Sequence, residues 1–369
     1  MNTEKEIILP FYAKATIFSI GLFSVLIMLY IAQNIIIPII FAIIIAVVLH
    51  PVVNFFTGLK INRIIAIIIT LALTFLVIYA LGALLFSQAV RFSKSWPVLV
   101  DKFTSILNQS INWSSGYFNI NPKNIHEWIT KTISDLFNIS SSGIGQTLLS
   151  VGSGVIVLFL VPVYIFMILI YQPLLIEFIR RIFGITYKKN VNEIITETKK
   201  LIQHYIIGLF FEAVIVAVLY STGLLIIGID YAILLGFIAA LLNIIPYIGG
   251  IIAVLFMMII ALATKNTVTY PLLVGGLAVI IHIIDNSFII PKIVASKVKI
   301  NALISITAII ASSTFFGIPG MIICIPVIGI IKLILDHIEP LKPWGFLLGD
   351  TMPVLLKIKP VLKLKKKST

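Results

Sequence analysis

Long runs of apolar residues, broken by short polar or basic stretches, make up most of this chain. A helix needs roughly 20 apolar residues to cross the hydrocarbon core of a bilayer. Six runs reach that length as single segments, at about residues 11–32, 35–56, 63–90, 147–172, 205–228 and 268–290. The pattern predicts an all-α, polytopic membrane protein.

Two further apolar runs, 231–264 and 301–336, contain proline and glycine near their centres, in "NIIPYIGG" and "FFGIPGM". Each run is too short for two full crossings, so each predicts a helical hairpin with a Pro/Gly tip at depth in the membrane. Two short crossings would give the same topology and remain an alternative. Irregular backbone at such depth needs surrounding protein or a water-filled cavity. With the single spans, we expect about eight or more membrane segments.

The order of the last segments predicts an inverted repeat. A span directed outward, 205–228, precedes a hairpin that enters from outside, and a span directed inward, 268–290, precedes a hairpin that enters from inside. Broken helices in matching positions of two inverted halves indicate the central site of a transporter. Residues 205–336 are therefore the predicted transport core.

Two stretches between the spans are amphipathic. Residues 91–146 hold three of the four tryptophans and predict a helical segment on the outer face. Its apolar positions with helical spacing are Trp96, Leu99, Val100, Phe103, Ile106 and Leu107, and then Ile125, Trp128, Ile129, Ile133, Leu136 and Phe137. Residues 173–204 are basic as well as amphipathic and predict cytoplasmic helices. The predicted organisation is three spans in 1–90, the outer segment 91–146, a fourth span in 147–172, the basic helices 173–204, the core 205–336 and a basic tail 337–369.

Composition and charge agree with this interpretation. The chain is 60% hydrophobic and 11% charged, whereas soluble proteins have about 25% charged residues. The net charge of +13 comes from basic residues between and after the apolar runs, which is typical of cytoplasmic loops. We therefore expect no nucleic-acid partner. The predicted location is the bacterial cytoplasmic (inner) membrane, with both termini in the cytoplasm.

Asp285 is the sharpest candidate for chemistry, because it lies in the apolar stretch "VIIHIIDNSFIIP". A charge at the centre of a spanning helix costs roughly 2.5–3.5 kcal/mol on insertion scales. His282 and Asn286 lie three residues before it and one after it, so the three side chains share one helix face. A structural polar clamp, or a position at the cytoplasmic interface, is the alternative.

Glu212 is the second carboxylate within an apolar helix. The first hairpin tip adds Asn243, Pro246, Tyr247 and Gly249, and the second adds Gly317 and Gly320. Glycine permits left-handed turns and proline lacks a donor, so such tips expose backbone carbonyl and amide groups that can bind an ion or a polar substrate. Plain tight turns, and a basic partner for Glu212, are the alternatives.

Enzyme motifs are incomplete in this chain. "HEWIT" has Thr130 where a zinc protease needs its second histidine, and no Walker-type phosphate loop is present. The five histidines show no paired ligand spacing. We expect no enzymatic activity, no cofactor and no bound metal.

At "LLNIIPYIGG", "DNSFIIPKIVASKV" and "FFGIPGMIICIPVIGIIK" the chain resembles the autoinducer-2 exporter family of bacterial membrane proteins. The resemblance extends over about residues 10–340. It implies a polytopic transporter of the cytoplasmic membrane and a homo-oligomer, with a pentamer as one candidate. Some members are associated with export of a furanone-type signalling molecule and others with sodium–proton antiport.

The family motifs correspond to particular residues here. The matching positions are Pro246, Tyr247 and Gly249 of the first tip, Asp285 and Asn286, Pro291, and Gly317 and Gly320 of the second tip. The chain departs from the family at Leu209, where many members have glutamine, and at Gly250, where proline is frequent. The pair Ser312–Ser313 replaces a common glycine pair.

These observations predict a secondary membrane transporter that exports a small polar molecule or exchanges ions. Substrate would bind near the hairpin tips, with Asp285 as the coupling or positioning acid. The alternatives are a passive oligomeric pore, a sodium–proton antiporter, and an assembly factor that docks through 91–146. Beyond the substrate, the expected partners are membrane lipid and further copies of the chain.

Overall fold

The computed structural model describes residues 10–118, 159–182, 188–265, 267–294 and 300–350, with helical backbone nearly throughout. The helices are α1 (Phe11–Ile31), α2 (Gln33–Gly58), α3 (Arg63–Phe118), α4 (Phe159–Ile182), α5 (Lys188–Ile227), α6 (Ala232–Asn243), α7 (Ile248–Thr264), α8 (Thr269–Ile284), α9 (Ala302–His337) and α10 (Lys342–Leu348). A π-helix (Asp285–Val294) continues α8, and a 3₁₀ turn (Glu339–Leu341) precedes α10. Within the described ranges the one extended pairing is an isolated antiparallel bridge between Ile300 and Gly349.

Seven helices in the described part of the chain are long and apolar enough to cross a membrane. They are α1, α2, α3, α4, α5, α8 with its π-helical continuation, and α9. Large apolar side chains such as Phe23, Phe86 and Leu174 are exposed on these helices. Exposure of these apolar side chains to water would be strongly unfavourable, whereas their contact with lipid is not. The predicted all-α, polytopic membrane fold is confirmed.

Helix α3 is longer than any single span requires. Its 56 residues extend for about 84 Å at 1.5 Å per residue, against a hydrocarbon core of about 30 Å. The predicted third span and the first half of the outer segment therefore form one continuous helix. The second predicted amphipathic helix, around Ile125–Phe137, lies outside the described residues.

The first hairpin consists of α6 and α7, joined by residues 244–247. The 12 residues of α6 extend for about 18 Å, too short to cross the bilayer core alone. The helices approach each other closely at the tip, since a Cβ atom on Gly249 would lie 1.7 Å from the carbonyl oxygen of Leu242. Only glycine fits this contact.

The second hairpin lies within α9. Gly317 interrupts the helix with φ 61° and ψ −150°, a conformation that is essentially restricted to glycine. A Cβ atom on Gly320 would lie 2.4 Å from the carbonyl oxygen of Ser312. Residues eight apart in a straight helix are about 12 Å apart along its axis, so the chain reverses direction here. Both Pro/Gly interruptions thus turn the chain as the sequence predicts.

The main core forms where α5, α6, α7 and α8 pack together. Leu224, Leu235, Met257 and Val274 are fully buried there. Small side chains line the contacts, among them Ala239, Ala240, Ala253, Ala261 and Ala278. Small residues allow membrane helices to approach closely and gain packing energy. This body holds the polar site described next, and α9 packs beside it through Ile309 and Ile325 against Tyr205.

Candidate functional site

Three helices contribute one polar side chain each to a single hydrogen-bonded cluster, in which the two carboxylates are buried and Asn243 is partly buried. Asn243, the last residue of α6, donates from Nδ2 to Oε1 of Glu212 on α5 at 3.0 Å and to Oδ2 of Asp285 at 3.1 Å. Glu212 is 5% exposed and Asp285 is 4% exposed. The structure thus brings together three of the residues that the sequence singles out from separate segments.

The first hairpin tip explains the position of Asn243. The backbone amide of Ile248 donates to the carbonyl of Pro246 at 2.8 Å, and Tyr247 between them has φ 65° and ψ −49°. This is a γ-turn with positive φ at its central residue, which is rare and strained for a residue with a side chain. Together with the close contact at Gly249, the turn ends α6 at Asn243 and directs α7 back along it.

The π-helix begins at Asp285 and includes Pro291. A π-helical turn is wider than an α-helical turn and is frequent at functional sites. The second carboxylate oxygen of Asp285, Oδ1, is buried and has no hydrogen-bond partner among the described residues. A buried oxygen of a charged group is unfavourable without a donor or cation. Asp285 is therefore positioned to accept a proton or a cation.

His282 and Asn286 form a pair beside this cluster. Nδ2 of Asn286 lies 2.9 Å from Nε2 of His282 and also donates to the His282 carbonyl at 3.1 Å. Both residues are exposed, whereas Asp285 is buried. The predicted polar face therefore divides into an inward carboxylate and an outward pair.

A cavity of about 910 Å³ adjoins all of these side chains. Its wall includes Glu212, Asn243, Asp285, His282 and Asn286, and further Tyr205, Leu209, Tyr220, Pro246, Tyr247, Gly250 and Ser305. Gly249 is packed inside the tip. Gly317 and Gly320 form the second tip and are not part of this wall within the described residues. The structure thus joins the first tip, but not the second, to the carboxylates.

Sequence reasoning missed Tyr205, Tyr220 and Ser305 in this wall. The two tyrosines precede and follow Glu212 by seven and eight residues, a spacing that keeps side chains on one helix face. That signal was available in the sequence. Ser305 has no comparable signal, because only the hairpin of α9 brings it near α5.

Leu209 also lines the cavity. The residue at which the sequence departs from the family that it resembles therefore contributes an apolar side chain to this wall.

One group of potential metal ligands lies elsewhere. Ligand atoms of Glu193, Glu197 and His337 lie within 4.8 Å of one another, and both glutamates are exposed. Water already solvates exposed carboxylates, so this arrangement alone does not indicate a bound metal.

Buried carboxylates beside a cavity, within a bundle of membrane-spanning helices, are features of membrane transport proteins. The chain belongs to the AI-2E transporter family, because the model of the family described as "AI-2E family transporter" matches residues 18–339. The resemblance seen in the sequence is confirmed.

Relatives from several bacteria match over most of their length. YrrI of Bacillus subtilis, provisionally named a transport protein, is 23% identical over 313 residues, 83% of this chain and 87% of the relative. A protein of Haemophilus influenzae with the same provisional name is 25% identical over 348 residues, 90% of this chain and 95% of the relative. Neither name states a substrate. The family and these relatives support a multi-pass membrane transporter.

Proposed function

We propose that the protein is a secondary transporter, driven by an ion gradient, that moves a small polar molecule or an ion across the bacterial cytoplasmic membrane. The observation that carries the proposal is the cluster of Glu212, Asn243 and Asp285 at the wall of the 910 Å³ cavity. The same cluster supplies both a place for a coupling ion and a contact for a substrate.

The charge balance of the cluster supports ion coupling. Because both carboxylates accept from one nitrogen at 3.0 and 3.1 Å, the two accepting oxygens are at most about 6 Å apart. Two negative charges this close, away from bulk water, repel each other strongly. A proton or a cation that enters the cluster removes the repulsion and also satisfies Oδ1 of Asp285.

The surrounding backbone supports a change of conformation on ion binding. The cluster joins three separate elements, namely α5, the broken hairpin and the π-helix. An ion that binds one arrangement of these elements better than another shifts the population toward it. Movement of substrate then follows from the same shift. Outward transport is the proposed direction, on family resemblance alone.

A sodium–proton antiporter is the second candidate, and the paired carboxylates favour it. Under that proposal the proton and the sodium ion would compete for the same oxygens. A passive pore has less support, because the polar groups of the described cavity gather at one cluster rather than along a continuous path.

The test uses purified full-length protein in liposomes, with proton, sodium and potential gradients imposed one at a time. Internal dyes report proton and sodium movement, and a panel of labelled small polar solutes reports substrate uptake. A gradient-dependent, saturable flux that Asn243→Leu abolishes would support the proposal. Flux of many solutes without saturation or gradient would instead indicate a pore. Sodium-driven proton movement without any solute would indicate the antiporter.

Asn243→Leu keeps the branched shape and the number of heavy atoms of the side chain and removes both N–H donors. Asn301→Leu is not a suitable control, since Asn301 caps α9. Asn54→Leu is suitable, because Asn54 is exposed and its hydrogen bond to His50 lies outside the carboxylate cavity. Equal loss in both variants would mean that the assay reports assembly rather than the site.

Orientation and assembly complete the proposal. The basic connections and the tail would lie in the cytoplasm by the charge bias of membrane proteins. The homo-oligomer implied by the family would form through the exposed apolar helix surfaces. Under this proposal the protein is not an enzyme and needs no cofactor.

A further inference from the structure

A second cavity, of about 860 Å³, lies away from the carboxylate site. Helices α2, α4 and α5 and the end of α9 enclose it. Aliphatic side chains form most of its wall, including Ile43, Ile168, Ile176, Ile194, Ile195 and Ile334. This aliphatic lining suits hydrocarbon chains better than a polar solute.

A basic network lies at one side of this cavity. Nζ of Lys199 is 2.9 Å from Nδ1 of His50, and both residues line the wall. A lysine ammonium group only donates, so Nδ1 of His50 is the acceptor. Gln172 also lines the wall and accepts from Nη2 of Arg63 at 3.3 Å. Arg63 is tied further to the Leu169 carbonyl at 2.7 Å. Two basic side chains, Lys199 on the wall and Arg63 behind it, thus lie close to one apolar cavity.

These cations lack acidic partners in the described part of the chain. The ion pairs found there include neither Lys199 nor Arg63. The acid of the wall already has a basic partner, since Glu339 pairs with Lys342, and His337 faces Glu197 at 3.7 Å. A positive charge beside an apolar wall favours a ligand that is anionic at one end and apolar at the other.

The depth of Arg63 indicates which ligand is available. It is the first residue of α3, and α2 ends five residues earlier at Gly58. Arg63 therefore lies where the chain leaves and re-enters the membrane, at the level of lipid headgroups. Basic pockets between spanning helices bind anionic headgroups at such positions.

We propose that this cavity binds one anionic phospholipid of the leaflet at which α2 ends and α3 begins. The phosphate lies at Nζ of Lys199, and the acyl chains lie along the isoleucines. Arg63, which contacts Gln172 of the wall, adds to the positive potential at the phosphate. The lipid joins α2 and α4 to α5 and α9, and so stabilises the contact between the first spans and the transport core.

The test is native mass spectrometry of the full-length protein in detergent, titrated with phosphatidylglycerol or with phosphatidylcholine carrying the same acyl chains. The expected result is a bound phosphatidylglycerol with at least about fivefold higher affinity than phosphatidylcholine. Each basic residue near the membrane surface contributes about 1 kcal/mol to anionic lipid binding, which is about fivefold in affinity. Lys199→Gln should remove that factor, and Lys199→Arg should retain it.

Lys200→Gln is the matched control. Lys200 is the next residue of the same helix, is exposed, and lies outside the cavity wall. It should leave both affinities unchanged. Ile195→Trp fills part of the cavity and should weaken the binding of both lipids equally, because it displaces acyl chains and leaves the charge unchanged.

Several outcomes would overturn the proposal. Equal affinities for the two lipids would mean that the cavity takes any acyl chain, and equal losses in Lys199→Gln and Lys200→Gln would mean that surface charge alone attracts lipid. Displacement of the lipid by millimolar inorganic phosphate would reduce the site to a simple anion site. Failure to retain any lipid, or lipid bound only to monomers and absent from oligomers, would indicate that nothing or a second copy of the chain fills the cavity. None of these readings depends on transport activity.

Discussion

Asn243 at the end of α6 donates a hydrogen bond to Asp285 at the start of the π-helix, over 3.1 Å. This bond joins the broken first hairpin to the element that continues α8. The same nitrogen also donates to Glu212 at 3.0 Å, so one amide group contacts both acids. The two predicted candidates for coupling therefore form one unit.

Asp285→Asn should abolish gradient-driven transport while the protein still assembles. Asparagine has the same shape but cannot change its charge with pH, and charge change is what the proposed coupling requires. The measurement is initial flux at several pH values for wild type and variant in liposomes. We expect the variant to lose both the flux and its pH dependence.

Asp336→Asn is the control for that experiment. Asp336 forms a partly exposed ion pair with Lys332 at 2.5 Å, and such pairs contribute between about 0 and 1 kcal/mol. The flux of the Asp336→Asn variant should stay close to that of the wild type. If Asp285→Asn has wild-type rates and pH dependence, Asp285 has no part in the mechanism.

Gly249→Ala should destabilise the protein, whereas Gly250→Ala should be tolerated. The added methyl group at 249 would lie 1.7 Å from a backbone oxygen, and at 250 it would lie 3.4 Å from Oδ1 of Asn243. Overpacking against backbone costs roughly 1–3 kcal/mol. Thermal stability in detergent, followed by size-exclusion chromatography, compares the two. Equal melting temperatures would mean that the tip can open without cost.

Gly317→Ala should lower stability by roughly 1–3 kcal/mol, because alanine rarely adopts the conformation that the second hairpin requires. Gly276→Ala is the matched change, since Gly276 is helical and a Cβ atom there meets no other atom within 4 Å. It should be neutral or slightly stabilising. A stable Gly317→Ala protein would contradict the reversal of α9 at this residue.

Reporters placed at residues 115 and 188 test the proposed orientation. Residue 115 lies near the end of α3, far beyond one bilayer thickness from Arg63, and residue 188 begins α5. An enzyme active only outside the cytoplasm should be active at 115 and inactive at 188. The opposite pattern would reverse the topology and place the basic segments outside.

Hydrophobic run length was enough to predict most spans, because the thickness of the bilayer sets the length of a crossing helix. Pro246 and Gly317 likewise indicated where the two hairpins turn. Glu212 and Asp285 stood out since isolated carboxylates are costly in apolar helices. These features depend on local sequence and on the solvent alone.

Other features depend on tertiary contacts and were not predictable in this way. No spacing in the sequence indicates that Asn243 reaches both acids, and nothing local identifies the π-helix that begins at Asp285. The sequence pattern predicts that the third span ends at residue 90, because polar residues begin there. The helix continues because its next turns pack on the core, with Phe92 against Tyr231 and Phe256.

Because α3 is one continuous helix, a tilt of its membrane part moves its far end as well. Residues 91–118 extend for about 42 Å beyond the membrane half of the helix, so a tilt of about 10° within the bilayer would move the far end by about 7 Å. Tyr231, immediately before α6, donates to Oγ of Ser95 at 2.6 Å and so joins α3 to the first hairpin. A tilt of α3 that follows movement of the hairpin would therefore displace the far end of the helix more than it displaces Ser95.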